Sequence, residues 1–103
     1  ELVKIKGDGT VTVIGNTNIP NLYKFGGLDF DNQGNLWFLN GANKTLYKLN
    51  PNTGAIVEQH VLSGANIGPS ISFNKSNQLF TVNEIANYPE GTLSQIDLSS
   101  FAN

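Results

Sequence analysis

Apolar residues in this chain recur in short runs of roughly four to eight, bounded by Gly, Asn, Asp and Pro, and no window carries a sustained apolar stripe at helical spacing. The runs have strand character. LVKIK (2–6) leads through GDGT into TVTVIG, and LYKLN (46–50) leads through PNTG into AIVEQHVL, which is the grammar of a hairpin: β-prone run, turn residues, β-prone run. FGGLDF (25–30) and NLWFL (35–39) are apolar on both sides of the strand alternation, as expected of strands covered on both faces. The pattern predicts an all-β chain.

The runs also repeat. GLDFDNQGNLWF from Gly27 aligns with SISFNKSNQLFT from Ser70, so that Leu28 matches Ile71, Phe30 matches Phe73, Leu36 matches Leu79 and Trp37 matches Phe80. The offset of about 43 residues falls in the range of propeller blades. A second motif recurs three times, as LVKIK from Leu2, LYKLN from Leu46 and LSQID from Leu93. With the strands of a blade lettered a to d from the inside outward, residues 2–15 read as c and d, 25–62 as a complete a to d, and 70–98 as a to c. The expected fold is therefore a partial β-propeller of about two four-stranded antiparallel blades, forming a single unit over 1–103. Propellers close with typically four to eight blades, so neighbouring blades or other copies of the chain are needed for closure.

GNLWF followed by NKTLYKLNPNTGAIVE, residues 34–58, resembles the repeat of streptogramin-lyase-like, NHL and gluconolactonase-type propellers. The resemblance implies blade architecture on a scaffold that serves lyases, lactonases and pure binding modules alike. Enzymes with this repeat hold a central divalent metal with His and Glu, or with Glu, Asn and Asp. Here the lone His60 falls in an outer d strand, and KFG precedes Gly27 where the lactonases carry a proline-aspartate pair. The resemblance transfers no catalytic residue.

Composition narrows the function further. Hydrophobic residues make up 39% of the chain, enough for a folded core, while charged residues make up 14% with a net charge of −2. All six basic residues are Lys and none cluster, which argues against a nucleic-acid partner. No apolar run approaches the ~20 residues of a membrane-spanning helix. The absence of Cys removes disulfides, thiolate metal sites and cysteine nucleophiles together. A start at Glu1 and a lack of Met suggest a processed product or a piece of something longer, and connecting segments rich in Asn, Gly, Ser and Thr suggest an extracellular, cell-surface or periplasmic protein.

Two constellations invite chemistry. Asp29, Asp31, Asn32 and Asn35 gather oxygens in one segment, which reads either as a Ca²⁺ loop or as a turn. The repeat favours the turn: Asp29 becomes Ser72 and Asp31 becomes Asn74, while Gly34 becomes Asn77, and Gly and Asn are the residues that best tolerate positive φ. Asp31 and Asn74 can each bond forward to turn amides. No metal site, catalytic residue or cofactor is assigned. The d–a and b–c connections, 16–24, 40–44, 63–69 and 83–91, emerge together on one propeller face. They carry Tyr23, Asn40, Asn43, Asn66, Glu84, Tyr88 and Glu90, a set suited to a protein, peptide or carbohydrate ligand. The functional expectation is a non-catalytic binding or scaffolding module. Its alternatives are a piece of a metal-dependent propeller enzyme whose active-site residues lie in other blades, and a unit that closes by homo-oligomerisation.

Overall fold

The computed structural model describes residues 1–20, 26–62, 70–83 and 92–101. Within them the chain is all-β. A hairpin joins β1 (Leu2–Ile5) to β2 (Val11–Gly15). A four-stranded antiparallel sheet follows in the order β3 (Gly26–Phe30), β4 (Leu36–Asn40), β5 (Thr45–Leu49) and β6 (Ile56–Val61). A three-stranded sheet contains β7 (Ser70–Phe73), β8 (Leu79–Asn83) and β9 (Thr92–Ile96), and a single 3-10 turn covers Leu98–Phe101.

The second and third sheets stack face to face. β3 lies beside β7, and Trp37, Leu39 and Leu46 of one sheet form a core with Leu79 of the other, flanked by Ile71, Phe73 and Ile96. Polar bonds fix the alignment: the Phe73 amide donates to Asp29 Oδ2 at 2.7 Å, and the Asn32 amide to Asn77 Oδ1 at 2.9 Å. Turn therefore sits beside turn. The opposite face of the second sheet presents Leu36, Tyr47 and Leu49, which pack with Leu2 and Ile19. Strand alternation thus sends Trp37 and Leu39 one way and Leu36 and Phe38 the other, so β4 is covered on both sides.

The first hairpin does not stack in this way. It reaches the second sheet through its open end, where Leu2 and Ile14 join the core and Gly15 meets the β5–β6 turn, while Val3, Ile5, Val11 and Val13 remain exposed. A two-stranded hairpin is half as wide as its neighbour and leaves Leu28 and Phe30 on β3 half exposed. Residues 16–20 then cross the sheet face as a strap. The sequence reading assigns them to a loop, and they are one with a packed face: Thr17 and Ile19 are buried while Asn18, at a φ of 57°, and Pro20 are exposed.

Three of the hairpin turns share one backbone pattern. Lys6, Asp31 and Asn74 each donate to the carbonyl four residues on, and accept from the amide three residues on, at Gly9, Gly34 and Asn77. Those last three residues have φ of 89°, 83° and 62°, which accounts for the exchange of Gly for Asn between copies of the repeat.

Two copies of this turn solve the same problem with opposite chemistry. Asp31 Oδ1 accepts from the amides of Gln33 and Asn35, and Oδ2 accepts from Asn35 Nδ2 at 2.8 Å and Trp37 Nε1 at 3.1 Å. At the second copy Asn74 Oδ1 accepts from the amides of Ser76 and Gln78, while Asn74 Nδ2 donates to Gln78 Oε1 at 2.8 Å. Where the neighbour is an indole N–H the turn uses a pure acceptor. Where Phe80 replaces Trp37 and Gln78 offers a carbonyl, it uses an amide. Burial pushes the Asp31 carboxyl up, but the donations from Asn35, Trp37 and Gln33 outweigh it and hold the carboxyl below its usual range. Its contribution to stability is therefore complete above the unfolded carboxylate pKa and is lost as pH falls through the lower folded value.

Asp31→Asn sets an NH₂ against the Trp37 N–H, which can only donate, and should cost about 1–3 kcal/mol in urea unfolding at neutral pH. In a Trp37→Phe background the same change should cost less, with a coupling of at least ~0.5 kcal/mol that vanishes once Asp31 is protonated. A Cβ placed on Gly15 would fall onto the Thr53 carbonyl oxygen. Gly15→Ala should therefore destabilise by about 1–3 kcal/mol, read as a lower urea midpoint with an unchanged slope.

Candidate functional site

The end of the second sheet opposite its tight turns is built around a buried amide. Asn40, the last residue of β4, is 1% exposed. Its Nδ2 donates to the Pro20 carbonyl at 2.9 Å and its Oδ1 accepts from the Ala42 amide at 3.1 Å. One side chain thereby ties the β4–β5 connection to the strap arriving from the first hairpin. Asn43 continues the frame: Oδ1 accepts from the Thr45 amide, and Nδ2 donates to the Tyr47 hydroxyl at 3.1 Å. Lys44 beside it takes a φ of 54°. The local sequence NGANKT supplies the small and amide residues that such a tight connection requires.

Of the residues singled out from sequence, Asn40 and Asn43 are described, and both form the frame of this loop. Asn40 acts by position, since its polar atoms are spent inside the protein. Asn43 is half-buried on the loop surface. Tyr23, Asn66, Glu84, Tyr88 and Glu90 lie outside the described residues. The contribution of Pro20 was not legible in the sequence, because an acceptor supplied by a backbone carbonyl leaves no mark in side-chain identity. Beneath the strap lies a cavity of about 120 Å³ lined by Leu2, Thr17, Ile19, Leu28, Phe38 and Leu49. It is smaller than the ~300–1,000 Å³ of ordinary ligand pockets.

A second polar cluster occupies the outer part of the sheet face that meets the third sheet. Glu58 and His60 point to the same side of β6, as alternation requires, with His60 Nε2 and Glu58 Oε2 3.0 Å apart. Lys48 reaches Glu58 at 3.4 Å and lies 5.8 Å from the Trp37 ring centre. The His60 ring stacks on Phe101 from the 3-10 turn, with centroids 4.1 Å apart and planes within 5°. The hydrogen bond from His60, opposed by burial and aided by Lys48, holds the Glu58 carboxyl below its usual range. The arrangement pins the chain's last described turn against β6. Among the described residues, no three or more His, Cys, Asp or Glu side chains converge as a metal cluster.

Asn40→Ala should leave the Pro20 carbonyl and the Ala42 amide without partners and cost about 1–3 kcal/mol. Hydrogen exchange should show the Ala42 amide losing protection ahead of the β4–β5 ladder; equal protection in both proteins would remove Asn40 from its framing role. No family model, curated protein or solved structure matches the chain.

Proposed function

We propose that the chain is a segment of a β-propeller from an exported protein and acts as a non-catalytic binding or scaffolding module. Its ligand, a protein, peptide or carbohydrate, meets the connections at the Asn40 end of the sheets. The observation that carries this reading is the bracing of the β4–β5 connection by Asn40, which joins it to the strap through Pro20. A loop tied from within at two points gives up less conformational freedom on binding, which is what a recognition surface gains from a rigid scaffold. The hairpins at the other end are tight turns whose polar groups are engaged with one another. The repeat of about 43 residues, the face-to-face packing of the second and third sheets and the turn-beside-turn alignment all support the propeller component.

In this reading Tyr23 and Tyr88 supply flat apolar surface, and Asn43, Asn66, Glu84 and Glu90 supply directional polar contacts. Aromatic rings beside amides and carboxylates suit sugar rings or peptide backbones, which offer an apolar face and a polar edge. The test is an NMR titration of the isotopically labelled chain with neutral oligosaccharides and short peptides. Amide shifts should move in 16–25, 40–45, 63–69 and 83–91, and Tyr23→Ala and Tyr88→Ala should weaken binding about tenfold or more without lowering the melting temperature. Shifts confined to the tight turns at 31–35, 50–55 and 74–78, or none with any probe, would refute the assignment.

A further inference from the structure

The repeat allows each apolar position to be compared with its counterpart in another sheet. On the second sheet, Leu39 and Leu46 are cross-strand partners, both 0% exposed beneath the third sheet and the 3-10 turn that follows it. Their counterparts on the third sheet, Val82 and Leu93, are also cross-strand partners in the same register, yet they are 44% and 68% exposed. Phe80, the counterpart of Trp37, lies on that same outer face, two residues from Val82. The third sheet thus repeats the apolar surface by which the second sheet receives a neighbour, and among the described residues nothing covers it.

The complementary surface is also present and also open. The cluster of Leu39 and Leu46 is covered by the inner face of the third sheet, to which β9 contributes Ile96, together with Leu98 and Phe101 of the 3-10 turn. Through the threefold motif Ile96 corresponds to Leu49 and to Ile5. Ile5 is 67% exposed and pairs across the first hairpin with Val11, and Val3 pairs with Val13 on the same side. Four β-branched side chains therefore form one apolar face on a hairpin anchored to the second sheet only by its open end.

We infer that a second copy of this chain binds head to tail, with the Val3, Ile5, Val11 and Val13 face of one copy packed on the Phe80, Val82 and Leu93 face of the other. The occupant follows from continuity: each face is the repeat counterpart of one side of an interface the chain already makes internally, between its second and third sheets. The two faces differ, so the contact is heterologous and an open assembly keeps one free face of each kind, one at either end, until a ring closes. Exposed apolar faces of this kind mark association surfaces, and the low charge of the chain opposes association little. The inference rests on the repeat and the sheet packing and not on the ligand reading, so the two fail separately.

Sedimentation equilibrium of the 103-residue chain across the micromolar to millimolar range tests it, with Ile5→Lys and Leu93→Lys as single variants. Both positions are exposed, and circular dichroism with thermal melting checks that each variant folds; Val13→Lys and Val82→Lys stand in for one that does not. The unmodified chain should self-associate, and each variant alone should associate at least about tenfold more weakly. An equimolar mixture should recover a one-to-one pair, because each variant retains the face that the other needs. Monomers throughout, association that neither variant weakens, or weakened variants that fail to complement each other would overturn the proposal.

Discussion

The structure depends on β4 being apolar in both directions. Leu36 and Phe38 face the first hairpin and its strap, Trp37 and Leu39 face the third sheet, and a strand of this kind is stable only with a cover on each side. Every other element can be placed by that requirement. β3 and β5 extend the surface, the third sheet closes one side across a core containing Leu39, Leu46 and Leu79, and the other side is closed by a patchwork of Leu2, Ile14 and Ile19. The two sides are unequal. One is a sheet stacked on a sheet in a repeated register, and the other is the end of a hairpin and a strap of five residues.

This inequality separates what the sequence discloses from what it conceals. Strand positions were legible because a run such as NLWFL can be little else when bounded by QG and GANKT, and the antiparallel order follows from turns as short as GDGT and PNTG. The turn at Asp31 was legible through the repeat, since the substitution of Asn77 for Gly34 preserves positive φ while the acids disappear. The attitude of the first hairpin was not. Its alternation says that Val3, Ile5, Val11 and Val13 share a face, but nothing in a pattern of residues says how far a two-stranded unit extends over its neighbour. The contact is decided by backbone approach at Gly15 and Thr53, where a missing Cβ is the whole signal.

The candidate site divides in the same way. Asn40 could be named from sequence as the residue where the chain leaves β4, but its role differs from that of a surface contact. Burial and two internal bonds make it the brace of the connection, and its main partner is a carbonyl twenty residues earlier in a segment that resembles a plain loop. The alternation of Thr17 and Ile19 was the one available sign that the segment packs. It is too short, at two positions, to stand out from the polar residues around it.

The turns at Asp31 and Asn74 differ as bonded sets of three residues and not only residue by residue. Asp31, Asn35 and Trp37 form a set in which one acceptor serves several donors; Asn74, Gln78 and Phe80 form a set in which an amide both gives and takes. Anyone building an idealised array from this repeat by choosing the preferred residue at each column would be free to join Asp from one set to Phe from the other, leaving a carboxylate without its indole donor. The unit of inheritance for such a construction is the hydrogen-bonding parity of the turn, and the three columns must be chosen together.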